Sequence, residues 1–269
     1  MALEPPSPSA FDFLLRVANT CASLVSSPHA HRETGLGGKL FYAGELDERG
    51  RALLVAANIA GAATLAATAD RAAQMQALRE GVADFVVNNL DEALRILKNQ
   101  LRKRETVAVC VALPPLDVES EMSDRGVLPD LLRGDLPVEL SHEAFMQTTE
   151  APIIAQEAPQ KSGDSKTPAI VTWRVESALP KDLAFLDELA LACLDPEDWK
   201  SRRWLRLAPR YLGRMAQGLR LLDSDREFAV RFIDRVSQSS ERGEIAAAIE
   251  VDSYSGGIRD IHRFCPTKP

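Results

Sequence analysis

The chain has 269 residues, 45% apolar and 26% charged, with a net charge of −7, enough to bury a sizeable core in one large or two small domains. The acidic balance excludes a general nucleic-acid binder, whose footprint is basic, and no apolar run reaches the roughly 20 residues of a membrane span. The opening MALEPPSPSAFDF lacks the basic and apolar regions of a signal peptide. Cys21, Cys110, Cys193 and Cys265 form no CxxC pair, so reduced, mostly buried thiols in a cytoplasm are expected.

Residues 1–9 are rich in Pro and Ser and are predicted to be unstructured. Phe11, Leu14, Leu15, Ala18, Cys21, Ala22 and Val25 then recur at helical spacing. From Lys39 the pattern becomes a regular alternation. Short apolar runs at Lys39–Ala43, Ala63–Thr68, Asp84–Asn88 and Thr106–Leu113 read as strands. Runs apolar at nearly every position suit strands buried on both faces of a parallel sheet. Gly44–Gly50 reads as a turn. Between the strands lie an Ala-rich helix (Ala52–Ala62), a helix capped by Asp70 and stopped by Gly81, and a helix opened by Asn89 or Asp91 that carries Leu94, Leu97 and Leu101. Pro115–Arg125 reads as a further helix and Leu128–Arg133 as a last strand. Strands alternating with helices at this pace predict an α/β domain, a Rossmann-like parallel sheet with helices on both faces.

Residues 148–168 are rich in Pro, Ser and Lys without periodicity and read as a linker or long loop. Beyond them the texture is that of a mostly helical α+β region: a strand at Ala169–Ser177, helices at Leu179–Cys193, Asp195–Leu222 and Asp225–Ser237, and a strand at Glu244–Tyr254. Pro209 should break or kink the second of these helices. The predicted organisation is a tail and helix (1–36), the α/β domain (37–147), the linker (148–168) and the α+β region (169–269).

Four segments, Gly37–Asp47 (GGKLFYAGELD), Leu53–Ala67 (LLVAANIAGAATLAA), Ala83–Leu97 (ADFVVNNLDEALRIL) and Arg125–Phe145 (RGVLPDLLRGDLPVELSHEAF), come in an order that resembles the central NAD-binding domain of urocanases. Gly126, Val127, Pro129 and Asp130 match one of that family's runs, and Pro137, Val138, Leu140, Ser141 and Glu143 match another. The resemblance covers residues 37–147 and implies a Rossmann-like fold with NAD as the cofactor to be tested. On the family's pattern a cofactor would touch Gly44, Arg49, Gly50, Arg51, Thr68 and Asp70.

The departures from that pattern matter more. Family members carry a dense glycine run after the first strand, which lets backbone N–H groups approach a diphosphate. Here Gly44 and Gly50 bracket Glu45, Leu46, Asp47, Glu48 and Arg49, and three carboxylates would repel an anion. Arg49 and Arg51 could compensate only by folding over it. Thr68 and Ala69 stand where the family's ribose-binding carboxylate would fall, and Asp70, two positions on, suits a helix cap. Leu131-Leu132-Arg133-Gly134 replaces a polar cofactor segment, and the urocanase catalytic core has no counterpart in the remaining residues.

Other candidate sites are sparse. His29-Ala30-His31 has a ligand-like spacing, but no metal site is expected. Cys110, among valines, reads as core. Cys265 with His262 would be a reactive pair only if brought together. Lys200, Arg202, Arg203, Arg206, Arg210, Arg214 and Arg220 suggest either a solvated helix face or an anion-binding one, and Trp199 and Trp204 read as core. Asp117, Glu119 and Glu121 follow the fourth strand, on the side where parallel sheets bind ligands. The expected function is therefore a non-catalytic urocanase-like protein, with no cofactor expected, acting through an unknown protein partner or self-association. The alternatives are a small-ligand or nucleotide-binding module and a divergent NAD-dependent lyase.

Overall fold

The computed structural model describes residues 8–133, 153–154, 168–175, 180–213, 218–245, 247–255 and 258–265. In chain order the elements are α1 (Pro8–Val25), β1 (Leu40–Glu45), α2 (Glu48–Ala60), β2 (Ala63–Ala67), α3 (Arg71–Glu80), β3 (Phe85–Val87), α4 (Leu90–Lys103), β4 (Ala108–Val111), α5 (Pro115–Asp124), β5 (Leu131–Arg133) and β6 (Ile153–Ile154). They continue as β7 (Pro168–Val175), α6 (Pro180–Cys193), α7 (Trp199–Tyr211), β8 (Leu219–Asp225), α8 (Arg226–Glu241), β9 (Ile249–Ser255) and β10 (Ile258–Phe264).

β1 to β6 form one sheet, ordered β3-β4-β2-β1-β5-β6, with every pair parallel. Alternation along the strands divides the buried side chains between its faces. Leu40, Tyr42, Leu65, Val109 and Val111 join Leu94 and Leu97 of α4 and Val118 and Met122 of α5 in one core. Phe41, Ala66 and Cys110, also fully buried, turn to the other face, where α2 packs on β1 and β2. The chain steps from β1 through β2 to the β3 edge by α2 and α3, then returns through β4 to β5 by α4 and α5. Right-handed crossovers in opposite directions put these helix pairs on opposite faces. The helices after β2 and β4, which are neighbours, therefore leave on different sides. That is a topological switch point at the carboxyl ends of those strands.

The caps are local. Asp47, Asp70 and Asn89 accept from backbone N–H groups at the starts of α2, α3 and α4, and Gly61 and Gly81 end the first two. Asp130 makes a longer-range tie. It accepts from Lys39 Nζ and from Leu40 N, each at 2.8 Å, and so fastens the start of β5 to the start of β1.

The chain divides into two units, residues 19–159 and residues 160–269 with 1–18. The second holds an antiparallel sheet, β10-β9-β7-β8. On one face Trp173, fully buried, packs against Phe232 of α8 with ring centroids 4.9 Å apart. Its Nε1 donates to Asp187 Oδ1 at 3.2 Å, and Arg220 Nε meets Asp187 Oδ2 at 2.9 Å. On the other face Trp204 donates to the Leu221 carbonyl at 2.6 Å, and Leu14 of α1 shares a small pocket with Trp204, Leu205 and Leu212. Glu250, 2% exposed, is held by Arg174 and Arg263.

Several sequence-based expectations are corrected. β1 runs on to Glu45 and α2 begins at Glu48, because Asp47 supplies a cap inside the expected turn. Residues 219–222 are strand, not helix: α7 ends at Tyr211, soon after Pro209, and leaves them free to pair with β7. Ile153 and Ile154 of the expected linker form β6 beside β5. β10 was not anticipated. Residues 1–7, most of the 148–168 segment, Arg214 and the matched positions Pro137, Val138, Leu140, Ser141 and Glu143 lie outside the described residues.

Candidate functional site

In a Rossmann-like sheet the diphosphate of a dinucleotide sits between the end of the first strand and the N-terminus of the helix that follows. Here that place is built by Gly44 to Gly50. Gly44 has φ of +70°, the left-handed turn that only glycine adopts without strain, and the pairing of β1 with β2 shifts register between Tyr42 and Glu45. Leu46, 2% exposed, turns inward, and its N–H donates to the Ala67 carbonyl at 3.0 Å. Gly50 is needed for close approach. A Cβ there would stand 2.0 Å from the Glu45 carbonyl oxygen, so strand end and helix start are in direct backbone contact.

The remaining space is taken by the chain itself. Asp47 Oδ1 accepts from Gly50 N at 2.6 Å. Arg133, at the carboxyl end of β5, grips the same carboxylate with both terminal nitrogens, at 3.2 Å to Oδ1 and 3.3 Å to Oδ2. Its Nη1 also donates to the Glu45 carbonyl at 3.4 Å. The Arg133 side chain is 9% exposed and the Asp47 side chain 44%. A helix N-terminus carries partial positive charge, and a guanidinium fork matches a planar or tetrahedral oxyanion. Together these make an anion site, and its anion is Asp47. A diphosphate does not fit these residues as they stand, because it would have to displace Asp47 from both partners against Glu45 and Glu48.

The other expected contacts are distributed rather than gathered. Arg51 is turned away and paired with Glu80 at the end of α3, and Arg49 is exposed on the first turn of α2. Thr68, 2% exposed, and Asp70 belong to the start of α3. Thr68 Oγ1 accepts from Asp70 N at 3.2 Å, Asp70 Oδ1 accepts from Ala72 N at 2.8 Å, and Gln74 Nε2 donates to the Thr68 carbonyl at 2.8 Å. Asp130 sits at the amino ends of the strands, the side opposite a nucleotide site.

The minor candidates have structural partners. Glu119 accepts from Tyr42 Oη at 2.9 Å; burial and the Glu119 charge raise the Tyr42 phenol well above its usual value. Glu121 pairs with Arg125 at 2.7 Å, and Arg125 also reaches Asp91 at 2.5 Å. Burial, with Glu45 nearby, pushes the Cys110 thiol up to about 12, which leaves it inert. Cys265 is exposed just past the end of β10, the strand that carries His262. Among the described residues no group of His, Cys, Asp and Glu is arranged to hold a metal ion. In the basic helix α7 the acids act as caps, Asp198 accepting from Ser201 N at 3.1 Å, while Arg202 donates to the Leu191 carbonyl at 2.8 Å. Arg220 lies on β8 with Asp187, not on that helix face.

Sequence reading missed Arg133. A single arginine at the end of a three-residue strand carries no local pattern, and its partner Asp47 is 86 positions away. The available signal was an acid-rich phosphate loop in need of a cation.

Strands β1 to β5 of the parallel sheet, the helices α2 to α5 between them and the glycine-bracketed turn after β1, though not β6, fall within residues 17–146. This segment matches the family model described as Urocanase Rossmann-like domain, a match that begins inside α1 and ends at residue 146. Residues 17–146 of this chain are thus similar to the Rossmann-like domain of the urocanase family.

Proposed function

We propose that this domain is a non-catalytic member of its family, a urocanase-type scaffold that works through protein contact or as a subunit and does not use NAD. The reading is carried by one observation: the Asp47 carboxylate, paired with Arg133, occupies the N-terminus of α2 where the dinucleotide's diphosphate would lie. The urocanase Rossmann domain binds NAD in related proteins, so the difference is one of charge and seating within a shared fold.

Thermal-shift and calorimetric titrations of the full chain with NAD, NADP, mononucleotides and urocanate test this. Ligand binding stabilises by RT ln(1 + [L]/Kd), so 1 mM of a ligand with a Kd of about 10 μM would add about 2.7 kcal/mol. NAD at that concentration should leave the melting temperature unchanged. Saturable binding of NAD, or turnover of urocanate alone or with a partner chain, would refute the proposal. The switch point between β2 and β4 favours a second reading, a small-ligand module. Binding of a mononucleotide without NAD would support that one instead.

A further inference from the structure

Among the described residues β10 is the outermost strand of the antiparallel sheet, and its seven residues pair with β9 in unbroken register. Sheet edges in natural proteins are normally blunted by bulges, prolines, lysines or very short strands. The sequence Ile258-Arg259-Asp260-Ile261-His262-Arg263-Phe264 has no proline or lysine, and Ile258 and Ile261 are 66% and 42% exposed.

Its two arginines do not guard the edge, because they turn back across their own sheet. Arg259 holds Asp252 Oδ2 at 2.8 and 2.5 Å and lies 5.2 Å from the centre of the Tyr254 ring. Arg263 Nε meets Glu250 Oε2 at 2.9 Å. Their charge is thereby balanced by carboxylates that are almost fully buried.

Read from its two ends, the strand is nearly self-complementary. Placed antiparallel to itself about Ile261, it sets Ile258 opposite Phe264, Asp260 opposite His262 and Ile261 opposite Ile261. Apolar pairs across strands are favourable, and the Asp260–His262 pair sets a carboxylate acceptor opposite a ring N–H donor. Arg259 falls opposite Arg263, each already bound to its own carboxylate. Shifting the axis by one residue sets Asp260 against Asp260 or His262 against His262 and breaks the apolar pairs.

We propose that β10 is a self-association strand, pairing antiparallel with β10 of a second copy about a twofold axis at Ile261 and joining the two sheets edge to edge. This specifies one contact for the interaction role proposed above. It uses residues outside the urocanase-like segment, so either reading can fail while the other stands.

The test is the solution mass of the full chain by sedimentation equilibrium and light scattering. The expected result is a concentration-dependent dimer, converted to monomer by Ile261→Lys, which places two like charges on the axis. Because Ile261 is exposed, the variant should keep the wild-type circular dichroism. Two single variants guard against a folding artefact. Asp260→Lys and His262→Glu should each weaken self-association. Mixing them should restore a dimer, since the introduced lysine of one chain then faces the introduced glutamate of the other, and the native His262 faces the native Asp260. Residues directly opposite in an antiparallel pair have Cα atoms roughly 4.5–5.5 Å apart, within disulfide reach. Ile261→Cys in a Cys265→Ser background should therefore oxidise to a covalent dimer. A wild-type chain that stays monomeric up to its solubility limit, a dimer that survives Ile261→Lys, or a failure of mixing to restore the dimer would overturn the proposal.

Discussion

Replacing Asp47 by alanine tests whether the closed phosphate loop is held by its internal anion. The substitution removes the cap of α2, at a cost of about 1 kcal/mol. It also leaves Arg133, 9% exposed, without its carboxylate. Breaking a fully buried pair costs about 3–5 kcal/mol, but the Asp47 side chain is 44% exposed. Solvent screens that end of the pair, so about 1–2 kcal/mol is the better figure. The sum, about 2–3 kcal/mol, lowers the melting temperature by about 5–10 °C at the usual few degrees per kcal/mol. Asp47→Asn keeps an equally good cap and should lose about half as much.

Urea unfolding followed by circular dichroism reads the loss. All three tryptophans lie in the unit formed by residues 160–269 with 1–18, so their fluorescence reports that unit instead. The double variant with Arg133→Leu should lose about 1 kcal/mol less than the sum of the single losses, because the two residues act as one. An Asp47→Ala loss below about 0.5 kcal/mol, or strict additivity with Arg133→Leu, would refute the assignment of Asp47 as the anion of this site.

Three further outcomes are expected. Gly50→Ala should abolish or severely impair folding of the parallel unit, since its Cβ would lie 2.0 Å from the Glu45 carbonyl oxygen, whereas Gly218→Ala meets nothing within 4 Å and should be nearly neutral by the same denaturant titration. Native chain should release one thiol equivalent quickly to Ellman's reagent, from Cys265, because Cys21, Cys110 and Cys193 are buried; rapid loss of a second thiol would contradict the packing. Burial pushes the Glu250 carboxyl up, but hydrogen bonds from Arg174 and Arg263, together with their charges, outweigh it and hold the group below its usual range. A depressed carboxyl stabilises the fold above its unfolded value, near pH 4.3, and that contribution is lost as pH falls through the folded value. Glu250→Gln should therefore flatten the acid limb of the stability profile; an unchanged limb would show that Glu250 does not drive it.

Where side-chain chemistry acts over a few residues, the sequence was readable. Asp70 and Gly81 mark both ends of α3, and the apolar runs of β2 and β4 announce strands covered on both faces. Legibility failed where tertiary partners decide. β10 alternates Arg, Ile and Arg on one face with Ile, Asp, His and Phe on the other, and only the buried carboxylates of β9 make that pattern a strand. Leu219–Leu222 has a composition that suits helix or strand, and pairing with β7 selects strand. At the candidate site the acidic loop and the Asp70 cap were visible. The counter-ion was not, since no local rule links residue 47 to residue 133.

The two residues that flank or end β5 hold β1 at opposite ends: Asp130 at its start, and Arg133 through the loop that follows it. β5 comes some 90 residues after β1 in sequence, so as the chain is synthesised β1 to β4 emerge first, with β1 as an open border of the sheet. Contacts of such long sequence separation form late. Until they form, Asp47 lacks the guanidinium that grips it in the finished fold. The short strand therefore acts as a closing clasp on assembly: its arrival covers the border and pairs the Asp47 carboxylate in one step, and the unit reaches its final electrostatic state only when residue 133 is in place.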